Sequence, residues 1–387
     1  MKIVVVGGGI IGSSIAYFVA EAGYADRIVV VEPDPTYTHA ATPRAVGTVR
    51  RIHGIPENIE MSQFGHAFYS NFSETMSTGA HPADVSFRRN GFTFMVWGSE
   101  TVKSIERIWR IQQDLKAPTE LLDRAELKRR FPSINVDDVD VALHGPEDGW
   151  IDPYGAMMGF RHKVIDLGVR YVKDKVVGFE IGGNRVSQVV LESGDRLDAD
   201  IVVNAANCWA PDICAMVGMR VPIEPMRRQT FNFDCRAELD LTGVTRDLFG
   251  ISFRPEGSGY IVGLTKPDEP SGFNWDIDHA WFEQAIWPRL AHRVPAFEAV
   301  KMTGGWSGHY DQNRFDGQPI LGPWIGGIEN FYLAAGFSGH GLQHAPAVGR
   351  AFKELLIDGA FSSIDLTPFS YQRILDNKPM IDAGPPT

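Results

Sequence analysis

Gly7, Gly9 and Gly12 stand in the spacing G-x-G-x-x-G directly after the apolar run Ile3 to Val6, and Glu32 closes a second apolar run twenty residues on. In that pattern the first glycine permits a tight turn, the second lets the backbone approach a pyrophosphate, and the third lets the next helix pack close to the sheet. The pyrophosphate then rests on the helix N-terminus, where backbone N–H groups and the positive end of the dipole face it. Glu32 can accept from both hydroxyls of a ribose and would repel a ribose phosphate, which argues against NADP. A glycine triplet alone is also an ordinary turn within a sheet. Strand, triplet, helix and acid at these offsets together favour a nucleotide site.

A second glycine loop lies near the other end of the chain. The run 331–335 reads as a buried strand, G-F-S-G-H-G at Gly336 to Gly341 as a loop, and 342–358 as a helix. A glycine loop entering a helix presents unpaired N–H groups and a partial positive charge, which suits the negative charge that a flavin's pyrimidine end gains on reduction. A plain capped helix would read the same way, since glycine-rich helix starts are common. If both loops serve one ligand, the nucleotide is held by both ends of the chain.

The elements that must position these loops are read from periodicity. Helices are expected over 56–72, where Phe64, Phe68 and Phe72 recur at i+4, and over 99–115, 153–168 and 279–293. Strands are expected over 27–31, 91–97, 169–172, 176–181, 186–192, 201–204, 248–254, 260–263 and 302–310, several joined by tight glycine turns. The segment 38–53 between the first two units is irregular, small and basic. The fold class is therefore α/β, a Rossmann-type nucleotide domain with a second, largely antiparallel α+β domain.

Composition sets exclusions. The 387 residues suffice for two domains, and 44% hydrophobic with 22% charged residues excludes a disordered chain. A net charge of -11 argues against a nucleic-acid partner, which would need clustered Lys and Arg. Cys208, Cys214 and Cys235 show neither metal-ligand spacing nor a disulfide framework, so no metal is expected and reduced thiols in a cytoplasmic protein are. The apolar stretch from Ile3 is broken by glycines and serines and reads as the nucleotide unit, not as a signal peptide or transmembrane segment.

The opening V-V-V-G-G-G-I-I-G with Glu32, V-N-A-A-N-C-W at 203–209, D-G-Q-P-I-L-G at 316–322 and A-A-G-F-S-G-H-G at 334–341 resemble the D-amino-acid oxidase, glycine oxidase and sarcosine oxidase family of FAD flavoenzymes. Within it, P-E-N-I-E-M-S at 56–62, P-I-E-P-M-R-R at 222–228 and F-S-G-H-G-L-Q-H-A-P-A-V-G-R at 337–350 resemble the mitochondrial FAD-dependent oxidoreductase-domain proteins and their bacterial relatives. The resemblance implies a discontinuous FAD domain over 1–84, 145–216 and 302–368, a substrate domain over 85–144 and 217–301 whose sheet roofs the flavin, and a C-terminal tail over 369–387. It implies FAD as cofactor and oxidation of an amine beside a carboxylate, with hydride passing to the flavin and the imine hydrolysing in water. It places Ile10 and Ile11 at the pyrophosphate turn, Arg44, Ala45 and Thr48 along the flavin chain, and Val176 at adenine. Ala206 and Trp209 then line the approach to the ring, and Gly336 and Ser338, Gly339, His340, Gly341 and Leu342 cover its pyrimidine end.

Several positions depart from the pattern. Arg44 stands where the dimethylglycine and sarcosine dehydrogenase branch places a flavin-linking histidine, and no cysteine follows Cys235, so FAD is expected to be non-covalent; His309 lies near the late linking position and is the alternative. Tyr310 stands where amino-acid-oxidising relatives commonly place a carboxylate-clamping arginine, and Arg50, Arg51, Arg254 and Arg314 are the candidate replacements. Each could equally pair with a flavin phosphate or be solvated. His340, Tyr310, Arg50, Arg254 and Tyr260 are the catalytic candidates, with His53 and His344 behind them. Ile261 occupies the roof-strand position at which oxygen-using sarcosine oxidases hold a lysine. The expected partners are a small amine or amino acid and an electron acceptor that is oxygen, a quinone or an electron-transfer protein. Two other readings stay open: an electron-transfer or assembly flavoprotein with little turnover, and an NAD enzyme, which has no use for the late glycine loop.

Overall fold

The computed structural model describes residues 1–382 and 384. Its centre is a six-stranded sheet in the order Ile320–Pro323, Phe331–Ala335, Ile201–Asn204, Ile3–Val6, Ile28–Val31, Arg170–Val172. Neighbours are parallel except the edge pair Ile320–Pro323 and Phe331–Ala335. The Ile3–Val6 strand is I-V-V-V with all four residues buried, the pattern of a strand covered on both faces. Ile3 and Val5 join the core beneath helices Ile10–Val19, Pro153–Asp166 and Gly341–Lys353, while Val4 and Val6 face a second core with Val176, Ile213 and Phe331. Each such side chain removed from water contributes about 1.5 to 3 kcal/mol.

An eight-stranded sheet forms the other body, in the order Val300–Asn313, Ile223–Cys235, Gly259–Gly263, Ser252–Glu256, Val244–Asp247, Phe92–Val96, Val141–Gly145, Glu120–Asp123. It is antiparallel apart from the Val244–Asp247 and Phe92–Val96 pair. One face buries Phe231, Phe233, Phe253 and Val262 against Phe282 and Phe297. The other turns toward the six-stranded sheet. A three-stranded antiparallel sheet, Val176–Gly182, Arg185–Leu191 and Arg196–Asp198, stands beside the nucleotide fold. The mixed α/β class expected from sequence is the observed one.

Three elements differ from their sequence reading. The strand expected over 248–254 is split: Val244–Asp247 and Ser252–Glu256 flank a turn in which Asp247 Oδ1 accepts from Phe249 N at 3.0 Å and Gly250 takes φ +84°. The helix expected over 279–293 is interrupted, its middle Phe282–Ile286 being a π turn before Pro288 enters at the start of Trp287–Arg293. The strand expected over 302–310 is longer, Val300–Asn313, because it pairs along its length with Ile223–Cys235.

Candidate active site

Two cavities meet where the two large sheets face each other. The outer one, about 520 Å³, runs along the C-terminal ends of the Ile3–Val6 and Ile28–Val31 strands. The inner one, about 150 Å³, lies under the eight-stranded sheet. Ala45, Tyr310, Gly339 and Leu342 belong to both walls.

The outer cavity is built for a dinucleotide. Gly7 has φ +99°, and a Cβ there would meet the Ala205 carbonyl oxygen at 2.6 Å, so only glycine makes this turn. A Cβ on Gly9 would meet nothing within 4 Å, because the residue opens onto the cavity that Gly7, Gly9, Ile10 and Ile11 line. Gly12 lies off the wall; a Cβ there would collide with the Gly7 carbonyl, so its role is helix packing. The Ile10–Val19 helix has no side-chain cap and no acid in its first turn. Neither has the Gly341–Lys353 helix, whose Gly341 and Leu342 line the same cavity. The two helices lie against each other through small residues: Ser14 Oγ donates to the Ala345 carbonyl at 2.8 Å, and a Cβ on Gly349 would strike Ser14. Two positive helix ends, each about half a charge, therefore point into one space with no protein anion to answer them from their first turns.

Glu32 also lines the cavity, and it already accepts from Gly8 N at 2.8 Å through Oε2 and from Asp34 N at 2.9 Å through Oε1. Burial raises its pKa above the usual carboxylate value, against those two N–H donors. Each oxygen keeps a second lone pair, so Glu32 can hold the glycine turn and a ribose together. Val176, Ala206 and Trp209 line the same cavity, Trp209 38% exposed and stacked on Phe273 at 5.1 Å.

The late loop is held by an acid that sequence reading missed. Asp311 Oδ2 accepts from Gly336 N at 2.6 Å and Phe337 N at 3.1 Å. Burial pushes the Asp311 carboxyl up to about 6, and those N–H groups pull the other way. Gly336 and Ser338 do not reach the cavity; they shape the loop, Ser338 Oγ accepting from Asn313 N at 3.0 Å. Gly339 has φ +99° and sits so close to Tyr310 that a Cβ would meet its ring at 2.5 Å.

Arg44 is a tie between segments rather than a wall of either cavity. Its guanidinium donates to the carbonyls of Thr38 (3.0 and 2.8 Å) and Ser307 (2.8 Å) and lies over Trp275. Thr48 lines the inner cavity and not the outer one, whereas Ala45 lines both. His309 is on the outer wall, and its Nε2 accepts from Asn274 N at 3.0 Å.

In the inner cavity, His340 Nε2 lies 3.2 Å from Arg50 Nη2. An arginine can only donate, so Nε2 accepts and the ring proton sits on Nδ1, which is buried without a hydrogen-bond partner among the described residues. Burial drives His340 and His344 well below the usual histidine value and His53 down to about 4, with neighbouring cations acting in the same direction, so the trio is neutral at pH 7. Arg50 also donates to the Ile52 carbonyl.

The remaining candidates fall apart. Tyr260 points away from the site: its register partner is Phe233, and its ring packs on Phe233 and Phe297 in the outer core. Its neighbour Ile261 takes the opposite face and lines the inner cavity. Arg51 is locked to Asp148 (2.8 Å), and Arg314 pairs with Glu224 at the surface. Arg254 reaches the inner cavity, but its fork is held by Glu256 and by the Val46 carbonyl at 2.9 Å, over the Trp150 ring. Two further arginines that the sequence reading did not name as candidates, Arg228 and Arg246, also line the cavity. Arg228 stands over the Tyr310 ring at 4.9 Å, and burial pulls Arg246 down to about 10, with Arg228 adding to that fall and Tyr310 opposing it. Both follow from strand alternation once the sheet register is known, but the sequence does not give that register.

Among the described residues no cluster of His, Cys, Asp or Glu could hold a metal, and no helix is long and apolar enough to cross a membrane. A Rossmann-type sheet with two bare helix ends over one cavity, roofed by a second sheet that encloses a small arginine-bearing cavity, defines a flavin-dependent oxidoreductase. The sequence profile of the FAD dependent oxidoreductase family matches residues 2–355, and the chain belongs to that family. It is 34% identical to FAD-dependent oxidoreductase domain-containing protein 1 of Xenopus laevis over 98% of this chain and 84% of that one. It is 26% identical to 4-methylaminobutanoate oxidase (formaldehyde-forming) of Paenarthrobacter nicotinovorans over 96% of this chain and 46% of that one. The structure of L-proline dehydrogenase from P. horikoshii superimposes with a TM-score of 0.88 at 26% identity, covering 98% of this chain and 99% of that one.

Proposed function

We propose that the enzyme oxidises the C–N bond of a small amine or amino acid, primary or N-alkyl, bound in the inner cavity. The observation that carries this is the shared wall of the two cavities at Ala45, Tyr310, Gly339 and Leu342, where a ring lying in the outer cavity would meet a small molecule in the inner one. Bound FAD supplies a two-electron acceptor there. The residues of the chain do the rest by position. The pyrophosphate would lie on the N–H groups of Gly9, Ile10 and Ile11, the ribose against Glu32, adenine beside Val176, and the pyrimidine edge on Gly339 to Leu342. Leu342 and Ile261 keep the reacting carbon dry. Arg228 and Arg246 supply the positive charge that answers a substrate's carboxylate, and neutral His340, fixed by Arg50, stays able to donate from Nδ1 without adding a charge. The outer lining also supports a non-covalent cofactor, since His309 Nε2 is engaged by Asn274 N, its Nδ1 is buried, and its ring lies against Phe273 and Trp275. We assign 1–84, 145–216 and 302–368 to the FAD domain and 85–144 and 217–301 to the substrate domain, with the strand Val300–Asn313 crossing their boundary.

Anaerobic mixing of the purified yellow protein with a panel of primary and N-methyl amino acids, read by bleaching of the flavin band, tests the reading. Bleaching by at least one carboxylated amine, lost in a Tyr310→Ala, His340→Ala double variant that still holds FAD, is the expected result. Flavin that no amine reduces would favour an electron-transfer or assembly flavoprotein with little turnover.

A further inference from the structure

Among the described residues lining the inner cavity there are four arginines, Arg50, Arg228, Arg246 and Arg254, and no aspartate, glutamate or lysine. Strand alternation has sorted charges across the sheet. Arg227, next to Arg228, is bound on the other face by Glu269 at 2.6 and 3.0 Å. Asp247, next to Arg246, is bound there by Arg293 at 3.0 and 2.9 Å. Glu269 and Asp247, the carboxylates on the far face beside the two cavity arginines, are thus already engaged. Among the described residues neither Arg228 nor Arg246 forms a salt bridge, and the Nε of each is buried without a hydrogen-bond partner. Arg254, by contrast, has Glu256.

The register leaves room between the two. Arg246 pairs with Ser252, Ser252 with Gly263, and Gly263 with Thr230, so the strands that separate Arg246 from Arg228 present small residues on the cavity side. Two guanidinium groups line one small space, with the Tyr310 ring beside Arg228 and no carboxylate on the wall among the described residues. A monoanion answers one of them and leaves the other buried and uncompensated, which is the costly arrangement for a charge out of water.

We propose that the physiological substrate is an amine bearing two carboxylates, one paired with Arg228 and one with Arg246. This rests on the inner cavity being the substrate site, and its volume of about 150 Å³ confines the proposal to small amino dicarboxylates. Planar guanidinium forks suit carboxylates in pairs of N–H···O bonds.

The test uses the FAD-loaded enzyme and ligands that cannot be oxidised, so that it stands apart from turnover. Perturbation of the flavin absorption spectrum is titrated at fixed ionic strength with acetate, propionate and butyrate, and with malonate, succinate and glutarate. At least one dicarboxylate should bind tenfold or more tightly than the monocarboxylate of equal chain length. Arg228→Gln and Arg246→Gln should each bring dicarboxylate affinity down to the monocarboxylate level while changing monocarboxylate affinity about twofold or less. Equal binding of the two series in the wild-type enzyme overturns the proposal, as does an equal loss for both series in each variant, which means that the two arginines share one carboxylate. If a variant fails to hold FAD, the wild-type comparison decides. A dicarboxylate preference together with a flavin that no amine reduces would leave a dicarboxylate-binding cavity and overturn the oxidation of an amine there.

Discussion

Asp311 holds the late glycine loop through one oxygen that accepts two backbone N–H groups, and it does so while buried. Its pKa rises from 3.8 in the ordinary case to about 6 in the fold. An acid raised in the folded state binds more protons than it does in the unfolded chain between those pH values. Its contribution to stability is therefore complete below about pH 4 and is lost as pH rises through about 6. Over that window the loss amounts to roughly 3 kcal/mol at most. Asp311→Asn keeps an acceptor for Gly336 and Phe337 but cannot titrate. Chemical denaturation of the cofactor-free protein at pH 4 to 7 should show the wild type losing stability relative to the variant as pH rises; parallel profiles would remove the assignment. At Glu32 the expected effect is on the cofactor: Glu32→Arg loses the ribose acceptor and the clamp on Gly8 N and Asp34 N, weakening FAD binding by at least about 1.5 to 3 kcal/mol. Fluorescence titration of the apoprotein with FAD measures it, and an unchanged affinity would count against the ribose role.

Among the elements, the glycine loop after Phe331–Ala335 works by close approach. Gly339→Ala forces a side chain into the left-handed region at a cost of about 1 to 2 kcal/mol and into the Tyr310 ring as well. FAD retained after gel filtration should fall well below the wild-type amount, and full retention would show that the loop does not need its present shape. How far these elements were legible depends on whether the signal is local. Gly7, Gly9, Gly12 and Glu32 are set by one strand-turn-helix, and the strands Ile201–Asn204 and Phe331–Ala335 by short apolar runs, so the turn and these strands stand where the sequence puts them. Arg246 was missed because the strand Val244–Asp247 hides behind a turn, and because three successive strand pairings set it on the same wall as Arg228. Tyr260 failed by one residue of register, which in a strand reverses the face. Arg51 and Arg314 read like any other arginine until Asp148 and Glu224 are seen beside them.

At the scale of the molecule, an acidic chain sets Arg228 and Arg246, which form no salt bridge among the described residues, in the wall of one small cavity behind a site that two helix ends make positive. Electrons have to leave from there. Ile261 in the roof strand puts an apolar group where a lysine would stabilise superoxide as it forms, and no lysine lines the inner cavity among the described residues. Stopped-flow mixing of the reduced enzyme with oxygen should give slow reoxidation and mixing with a quinone or dye a faster one; oxygen reoxidation fast enough to sustain turnover would make the protein an oxidase. Acid precipitation should release the yellow colour into the supernatant, whereas colour in the pellet would point to a bond through His309.

The central claim is that one FAD spans the outer cavity and presents its ring at the wall shared with the inner one. A crystal structure of the yellow protein soaked with succinate tests it most directly. The account predicts pyrophosphate density on Gly9 to Ile11, ring density bounded by Ala45, Tyr310, Gly339 and Leu342, and succinate against that ring with its carboxylates on Arg228 and Arg246. A ring lying elsewhere, or one cut off from the arginine cavity by protein atoms, would contradict it.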